Sequence, residues 1–189
     1  MNQKEYNKLS EKTLSYNFYV IEQRDKNLLH ASMGLMTEVV ELIENYDLSK
    51  KYDKTNIEEE IGDCCWYFSI ILRELNLDYD FIKSKTLEPV HEKDRLVYNI
   101  RLIKRTAQLL DYHKKMMFYG KPLDEQVYTE LFSKIAGVFL MIVLVEDLKV
   151  DKIFDKNIAK LKARYGEKFN EEKALNRNID KERNILEKK

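Results

Sequence analysis

Two stretches of this chain, GLMTEVVELIE (34–44) and EEEIGDCCWY (58–67), decide how the rest of the sequence is interpreted. Each holds two acids three residues apart: Glu38 and Glu41 in the first, Glu60 and Asp63 in the second. A three-residue step places both side chains on one face of an α-helix. Because unpaired carboxylates are costly to bury in apolar surroundings, we expect the four acids to converge on a cation. An all-oxygen site favours Mg²⁺, with Mn²⁺ as the alternative.

The composition predicts a soluble, nearly all-helical protein. The chain has 189 residues, 44% of them hydrophobic and 35% charged, which is enough for one compact domain with a core. Only 5 glycines and 2 prolines are present, so the turns that a sheet requires are scarce. Lys and Arg together equal Asp and Glu at 33 each, and this balance argues against a nucleic-acid polymer as partner.

Cytoplasmic localisation without a membrane association is the expectation from three features. The longest apolar run, 135–145, is shorter than the roughly 20 residues that span a bilayer. The opening segment 1–12 is polar and charged, unlike a signal peptide. The adjacent Cys64 and Cys65 lie in apolar helical sequence, where reduced core cysteines are typical of a cytoplasmic protein.

Hydrophobic periodicity divides the chain into a single all-α domain, 1–166, and a charged C-terminal arm, 167–189. We expect the third helix to start at a Thr55-x-x-Glu58 capping box and the last core helix to end at Gly166. The arm is expected to be loosely helical or ordered by a partner. Long helices are predicted at 3–23, 27–46, 55–75, 94–118, 124–146 and 151–165, with a short helix leading to Pro89.

The helical pattern repeats, which predicts a bundle of two degenerate tandem repeats at about 27–90 and 94–166. In this alignment Leu35 faces Leu102 and Glu74 faces Asp147. The second repeat lacks the acidic metal motif, because the positions of the four acids hold other residues: Arg105, Gln108, Ser133 and Ala136.

The last core helix carries hydrogen-bond donors rather than acids on one face: Asn157, Lys160 and Arg164 lie there at i, i+3 and i+7. We therefore expect one composite site between the repeats. The acids of the first repeat would hold metal, and these donors of the second repeat would bind phosphate. A solvated face near a helix C-terminus is the alternative for the same three residues.

The two acid pairs, separated by the 18 residues 42–59, resemble the motif of the all-α nucleoside triphosphate pyrophosphohydrolases. This is the MazG-like group, which is related to the dimeric dUTPases. The resemblance is carried by NLLHASMGLMTEVVELIE (27–44), NIEEEIGDCCWYFSIILREL (56–75) and NIAKLKARYGEKF (157–169).

The resemblance implies hydrolysis of a nucleoside triphosphate, NTP or dNTP, between its α and β phosphates, which yields a monophosphate and pyrophosphate. Such an activity would cleanse or control a nucleotide pool. The implied metal ligands are Glu38, Glu41, Glu60 and Asp63, with Glu38 also the candidate for accepting a proton from the attacking water. Lys160 and Arg164 would hold the pyrophosphate, Asn157 would donate to phosphate or sugar, and two chains are expected to form a homodimer.

Two other classes of function stay open at this stage. A catalytically silent nucleotide-binding regulator would keep the ligand site without turnover. A helical scaffold with no ligand would leave the acids on a solvated surface, which is the commonest reason for acids at helical spacing.

Overall fold

The computed structural model describes residues 1–19, 22–47, 49, 51–83 and 95–187. Within these ranges every regular element is an α-helix, so the all-α prediction is confirmed. The predicted segment that ends at Pro89 and the predicted helix start at Asp94 lie outside the described residues. The helices are α1 Gln3–Glu11, α2 Gln23–Glu44, α3 Lys54–Glu74, α4 Tyr79–Lys83, α5 Arg95–Tyr119, α6 Glu125–Val145, α7 Val150–Tyr165, α8 Glu171–Leu175 and α9 Ile179–Leu186.

The first predicted helix is too long, because α1 ends at Glu11. The chain after it runs beside the end of α5 instead of continuing as helix. There the Tyr19 amide donates to the Met117 carbonyl at 2.6 Å, and the Ser15 hydroxyl donates to the Phe118 carbonyl at 3.0 Å. These bonds satisfy carbonyl groups that the last turn of a helix leaves without an intrahelical partner.

The cap of α3 also differs from the prediction. Asp53, not Thr55, is the N-cap, and its side chain accepts a hydrogen bond from the Asn56 amide at 3.2 Å. Asp124 caps α6 in the same way, accepting from the Val127 amide at 3.1 Å. An aspartate two residues earlier satisfies an orphan amide of the first turn, so the capping box is not used.

The bundle is built from contacts between neighbouring long helices. α2 packs against both α3 and α5, and α5 packs against α6. Helices α4 and α7 cross over, because α7 packs on α3 and α4 packs on α6. In the core the ring of Phe68 on α3 makes edge contacts with Phe132 and Phe139 of α6 at 5.2 and 4.8 Å between centroids. The result places α2, α3 and α7 side by side around the acids.

α6 is, among the described residues, the one helix long and apolar enough to cross a membrane by length and composition. The helix has 21 residues, whereas the apolar run that suggested a shorter segment is only its second half. Core helices of soluble proteins meet the same criteria, and α6 buries Tyr128, Phe132, Ile135 and Phe139 inside the bundle.

The C-terminal arm is ordered on its own chain rather than loosely helical. Its helix α9 packs against α7, and Leu186 is only 2% exposed. Arg183 binds the α3 cap residue Asp53 at 2.9 Å. The sequence did not reveal this packing because the arm has few apolar residues, and polar contacts supply much of its attachment.

Candidate functional site

Three of the four predicted acids meet between α2 and α3. Glu38, Glu60 and Asp63 each offer a carboxylate oxygen, and these oxygens lie within 4.8 Å of one another. The adjacent Val39 and Ile61 are fully buried, and their packing fixes the two helix faces that carry the acids. Glu60 itself is only 6% exposed, so the cluster lies mostly inside the bundle.

Glu41, the fourth predicted ligand, lies at the rim of the cluster. Its side chain is exposed, but it lines the same cavity as Glu38 and Glu60, one turn further along α2. The cavity has a volume of about 460 Å³ and is bounded by α2, α3, α7 and the C-terminal arm. The structure therefore brings all four predicted acids to one cavity, three of them in direct proximity.

The crowding of carboxylates raises the pKa of two of these acids. Burial, and then the charges of Asp63 and Glu41, raise the pKa of Glu38 to about 7. Burial together with the neighbouring acids, Asp63 first, raises the pKa of Glu60 to about 9. An interaction with the Glu60 carboxyl lowers the pKa of Glu38 and offsets part of this rise. In the absence of a cation the cluster thus favours proton uptake.

Two of the three predicted phosphate donors contact the acid cluster itself. Asn157 Nδ2 donates to Asp63 Oδ1 at 2.7 Å, and Lys160 Nζ donates to Asp63 Oδ2 at 2.5 Å. The close approach of α7 is permitted by Gly62, where an added Cβ would lie 3.0 Å from Asn157 Nδ2. Both donors are buried and hold the Asp63 carboxylate in one orientation.

Glu59 also belongs to the site, although it is not one of the four acids predicted from the sequence. Its carboxylate accepts from Lys160 Nζ at 3.1 Å and lines the cavity. Lys160 is fully buried and forms ion pairs with the carboxylates of Glu59 and Asp63. Glu59 lies four residues before Asp63, and this i, i+4 spacing was the signal that could have identified it.

Arg164, the third predicted donor, lines the cavity but is paired with the arm. Its Nε and Nη2 donate to the two carboxylate oxygens of Glu182 at 2.9 and 2.5 Å. Arg177 Nη2 donates to the same carboxylate at 2.9 Å and lies 3.8 Å from Glu59. Burial lowers the pKa of Arg164, but its hydrogen bonds to Glu182 and Tyr165 raise it on balance.

Aromatic rings form another wall of the cavity. His30, Trp66 and Tyr67 meet in edge contacts with centroids 4.9 to 6.1 Å apart. Tyr67 lies directly on the backbone of Gly34, where any Cβ would collide with its ring. Gly34 is one turn before Glu38 on α2, so this glycine brings the aromatic wall next to the acids.

Carboxyl groups outnumber cations around the cavity. The residues that line the cavity or bond to its walls include six carboxylates, Glu38, Glu41, Glu59, Glu60, Asp63 and Glu182, and three cations, Lys160, Arg164 and Arg177. Opposite ligands of Mg²⁺ lie roughly 4.2 Å apart at about 2.1 Å per bond, so small side-chain shifts would bring the clustered oxygens into one coordination sphere. The donor set therefore fits a hard divalent cation.

Comparisons of this chain with protein-family models, with curated proteins and with solved structures find no match.

Proposed function

We propose that this protein is a Mg²⁺-dependent nucleoside triphosphate pyrophosphohydrolase, which cleaves NTP or dNTP to the monophosphate and pyrophosphate. Nucleotide-pool cleansing or control is the corresponding role. The observation that carries the proposal is the convergence of Glu38, Glu60 and Asp63 from two helices, with Glu41 at the rim of the same cavity. Carboxylates this close together and this poorly neutralised fit divalent cations and, through them, a polyanionic substrate.

The four acids share one task in this proposal, and Glu38 has a second. Glu38, Glu41, Glu60 and Asp63 would hold the cation, with Mn²⁺ as a substitute for Mg²⁺. When bound, the cation would neutralise phosphate charge and activate a water. Glu38 faces the cavity beside Glu60 and is the candidate acceptor of the proton of that water.

The α7 residues divide into two roles, and only that of Asn157 and Lys160 differs from the sequence-based expectation. Asn157 and Lys160 position Asp63, because their polar atoms already bond to its two oxygens. Arg164 keeps the predicted role toward phosphate, since its guanidinium lines the cavity. The aromatic wall of Trp66 and Tyr67 provides ring faces and edges for a nucleobase at another part of the cavity.

The repeat architecture is part of the same proposal. Asp53 and Asp124 cap α3 and α6, which both have 21 residues. Both helices are followed by a non-glycine residue with positive φ, Asn76 at 53° and Asp147 at 50°. The caps Asp53 and Asp124 are the same number of residues apart in the sequence as Asn76 and Asp147. With the crossing of α4 onto α6 and of α7 onto α3, this supports two degenerate repeats.

A cytoplasmic homodimer is the proposed assembly. Ile100 on α5 and Val127 and Leu144 on α6 are exposed apolar residues that a second copy can cover. Light scattering on the purified 22.7 kDa chain tests this, and we expect a mass twice that value. A monomer at high micromolar concentration would contradict the assembly and leave the site unaffected.

The activity is tested with a panel of NTPs and dNTPs in the presence of Mg²⁺, by measurement of pyrophosphate release. We expect pyrophosphate from at least one nucleotide, no release with EDTA, and recovery with Mn²⁺. The absence of pyrophosphate from every member of the panel, with protein shown to be folded by circular dichroism, would refute the proposal.

A nucleotide-binding regulator is the second candidate, and one observation favours it. Both oxygens of Asp63 already accept hydrogen bonds, from Asn157 and Lys160, so this acid is less free to ligate than Glu38 or Glu60. Each carboxylate oxygen has a further lone pair, which keeps ligation open. Calorimetry that finds tight nucleotide binding without hydrolysis would favour the regulator.

A further inference from the structure

We infer that the C-terminal arm completes the site: Arg177 of the arm and Arg164 of α7, both aligned by Glu182, form a guanidinium pair that binds a phosphate of the substrate. The inference rests on the proposed function for the identity of the substrate. It assigns binding and positioning roles to three side chains, two of which lie in a segment that the sequence analysis placed outside the catalytic domain.

The geometry of the three side chains is that of a prepared anion site. Arg164 binds Glu182 through Nε and Nη2 in the forked geometry that also suits phosphate oxygens. Arg177 Nη2 reaches the same carboxylate at 2.9 Å. Glu182 is only 3% exposed, so it is a fixed anchor rather than a solvated counter-ion. Each guanidinium has five N–H donors, and these bonds use only some of them.

The charges favour an anion at this place. Two guanidinium groups share the Glu182 carboxylate, and the other carboxylate near Arg177, that of Glu59 at 3.8 Å, is also paired with Lys160. Both arginines line the cavity that also holds Glu38, Glu60 and Asp63. A polyphosphate in the cavity would therefore meet cation-binding carboxylates at one end and a fixed pair of cations at the other.

The arm is attached so that it can hold Arg177 in place. Leu186 buries its side chain at the end of α9, and Arg183 binds Asp53 at the start of α3. Between these anchors and α7, the arm contributes Phe169, Arg177 and Ile179 to the cavity wall. These contacts make the arm a wall of the site.

The affinity for inorganic tripolyphosphate in Mg²⁺, measured by calorimetry, tests the pair without requiring turnover. We expect Arg177→Gln and Arg164→Gln each to weaken binding about tenfold or more, because each removes charge-assisted hydrogen bonds. Lys162→Gln removes the same charge from an exposed position on α7 and should change affinity less than about twofold. Wild-type affinity in Arg177→Gln would overturn the inference.

The Glu182→Gln variant distinguishes two effects of this carboxylate, its alignment of the two arginines and its negative charge. If charge alone mattered, loss of this carboxylate would strengthen tripolyphosphate binding. Alignment by Glu182 predicts the opposite, an affinity weakened by about threefold or more, with a matching rise of KM for the nucleotide and little change in kcat. Arg177→Lys, which keeps the charge and loses the fork, should behave like Arg177→Gln. Tighter binding in Glu182→Gln would refute the alignment role.

Trypsin cleavage after Arg177 in the wild-type full chain gives a test that needs no variant. A ligand held by Arg177 should slow this cleavage at least about fivefold at saturating tripolyphosphate and Mg²⁺, because proteolysis requires the arm to open. Unchanged or faster cleavage would overturn the inference. The two proposals can fail separately. If the wild-type protein releases pyrophosphate and the Arg177→Gln variant keeps the wild-type KM, the inference is rejected and the proposed function is retained. If tripolyphosphate binding depends on Arg177 but no nucleotide is hydrolysed, the inference is retained and the proposed function is rejected.

Discussion

Two of the buried carboxylate centres in the described part of the chain are treated in opposite ways. Glu146, at the end of α6, is 4% exposed and accepts hydrogen bonds from the Tyr46 and Tyr52 hydroxyls at 3.1 and 2.7 Å. Arg95 donates to the same carboxylate at 2.5 Å. The second centre is the acid cluster, where Glu38 and Glu60 are surrounded mainly by other carboxylates.

The two centres differ in the groups that surround the buried carboxylate. Around Glu146 the protein supplies a cation and two phenols, and burial, followed by the hydrogen bond to Glu146, raises the pKa of Tyr52 to about 12. Around Glu60 it supplies like charges, which destabilise the ionised form. A cluster left in this condition costs stability, and a bound divalent cation would offset that cost.

Replacement of the cluster acids should have the largest effect on activity. We expect Glu60→Gln to lower kcat/KM for the preferred nucleotide roughly a hundredfold or more, because it removes a metal ligand from a fixed site. Glu41→Gln, at the exposed rim, should cost less, about tenfold. Glu130→Gln on the outer surface of α6 is the matched control. Full activity in Glu60→Gln would contradict the assignment of the acid cluster as the metal site.

The two centres should respond oppositely to the loss of one carboxylate charge. Glu146→Gln is expected to destabilise the protein by about 2 kcal/mol, because Arg95 and two phenols lose their charged acceptor. Glu60→Gln should be neutral or stabilise the cation-free protein by about 1 kcal/mol, since repulsion is relieved. Urea unfolding in EDTA measures both. An equal loss for both variants would make the cluster a structural centre like the one at Glu146.

The pH dependence of stability sharpens the same contrast. The pKa of Glu38 and of Glu60 is raised from 4.5 to about 7 and about 9. For acids with raised folded-state pKa values, stability is greatest below pH 4.5 and is lost as the pH rises through 7 toward 9.

We therefore expect the melting temperature in EDTA to fall by about 3 °C or more between pH 5 and pH 9. Millimolar Mg²⁺ should remove most of this slope, because the cation favours the ionised carboxylates. Glu60→Gln should flatten the curve without Mg²⁺. A wild-type curve with no slope in EDTA would show that the cluster is already neutralised.

The smallest effect is expected at the ion pair that ties the arm to α3. Arg183 and Asp53 are 34% and 41% exposed at their side chains, so solvent screens the pair. Arg183→Gln should cost less than about 1 kcal/mol by urea unfolding. A loss as large as that of Glu146→Gln would mean that the arm's attachment depends on this pair rather than on the buried Leu186.

The helical order could be predicted from the sequence because it depends on short-range periodicity. Leu35, Val39 and Leu42 recur at helical spacing, and all three are buried on α2 as expected. The helix cap was missed because Asp53 and Thr55 are both good capping residues two positions apart. The course of the chain after Glu11 was missed because it depends on the carbonyls of α5, far away in sequence.

The candidate site also has a part that the sequence could predict and a part that it could not. The i, i+3 spacing indicated that Glu60 and Asp63 share a helical face, and that holds within a single helix. Which polar atoms meet that face depends on how α7 approaches α3 at Gly62, and no local pattern reports it. Asn157 and Lys160 therefore contact Asp63, where the sequence pointed to phosphate.

The sequence by itself determined the helices, their apolar faces and the spacing of the acids, because these properties arise between residues a few positions apart. Only the tertiary structure decided that Arg177 and Glu182 join the acids around one cavity. Their approach depends on helix crossing and on the return of the chain over α7. Such contacts between distant segments are selected by the packing of the whole core rather than by local preference.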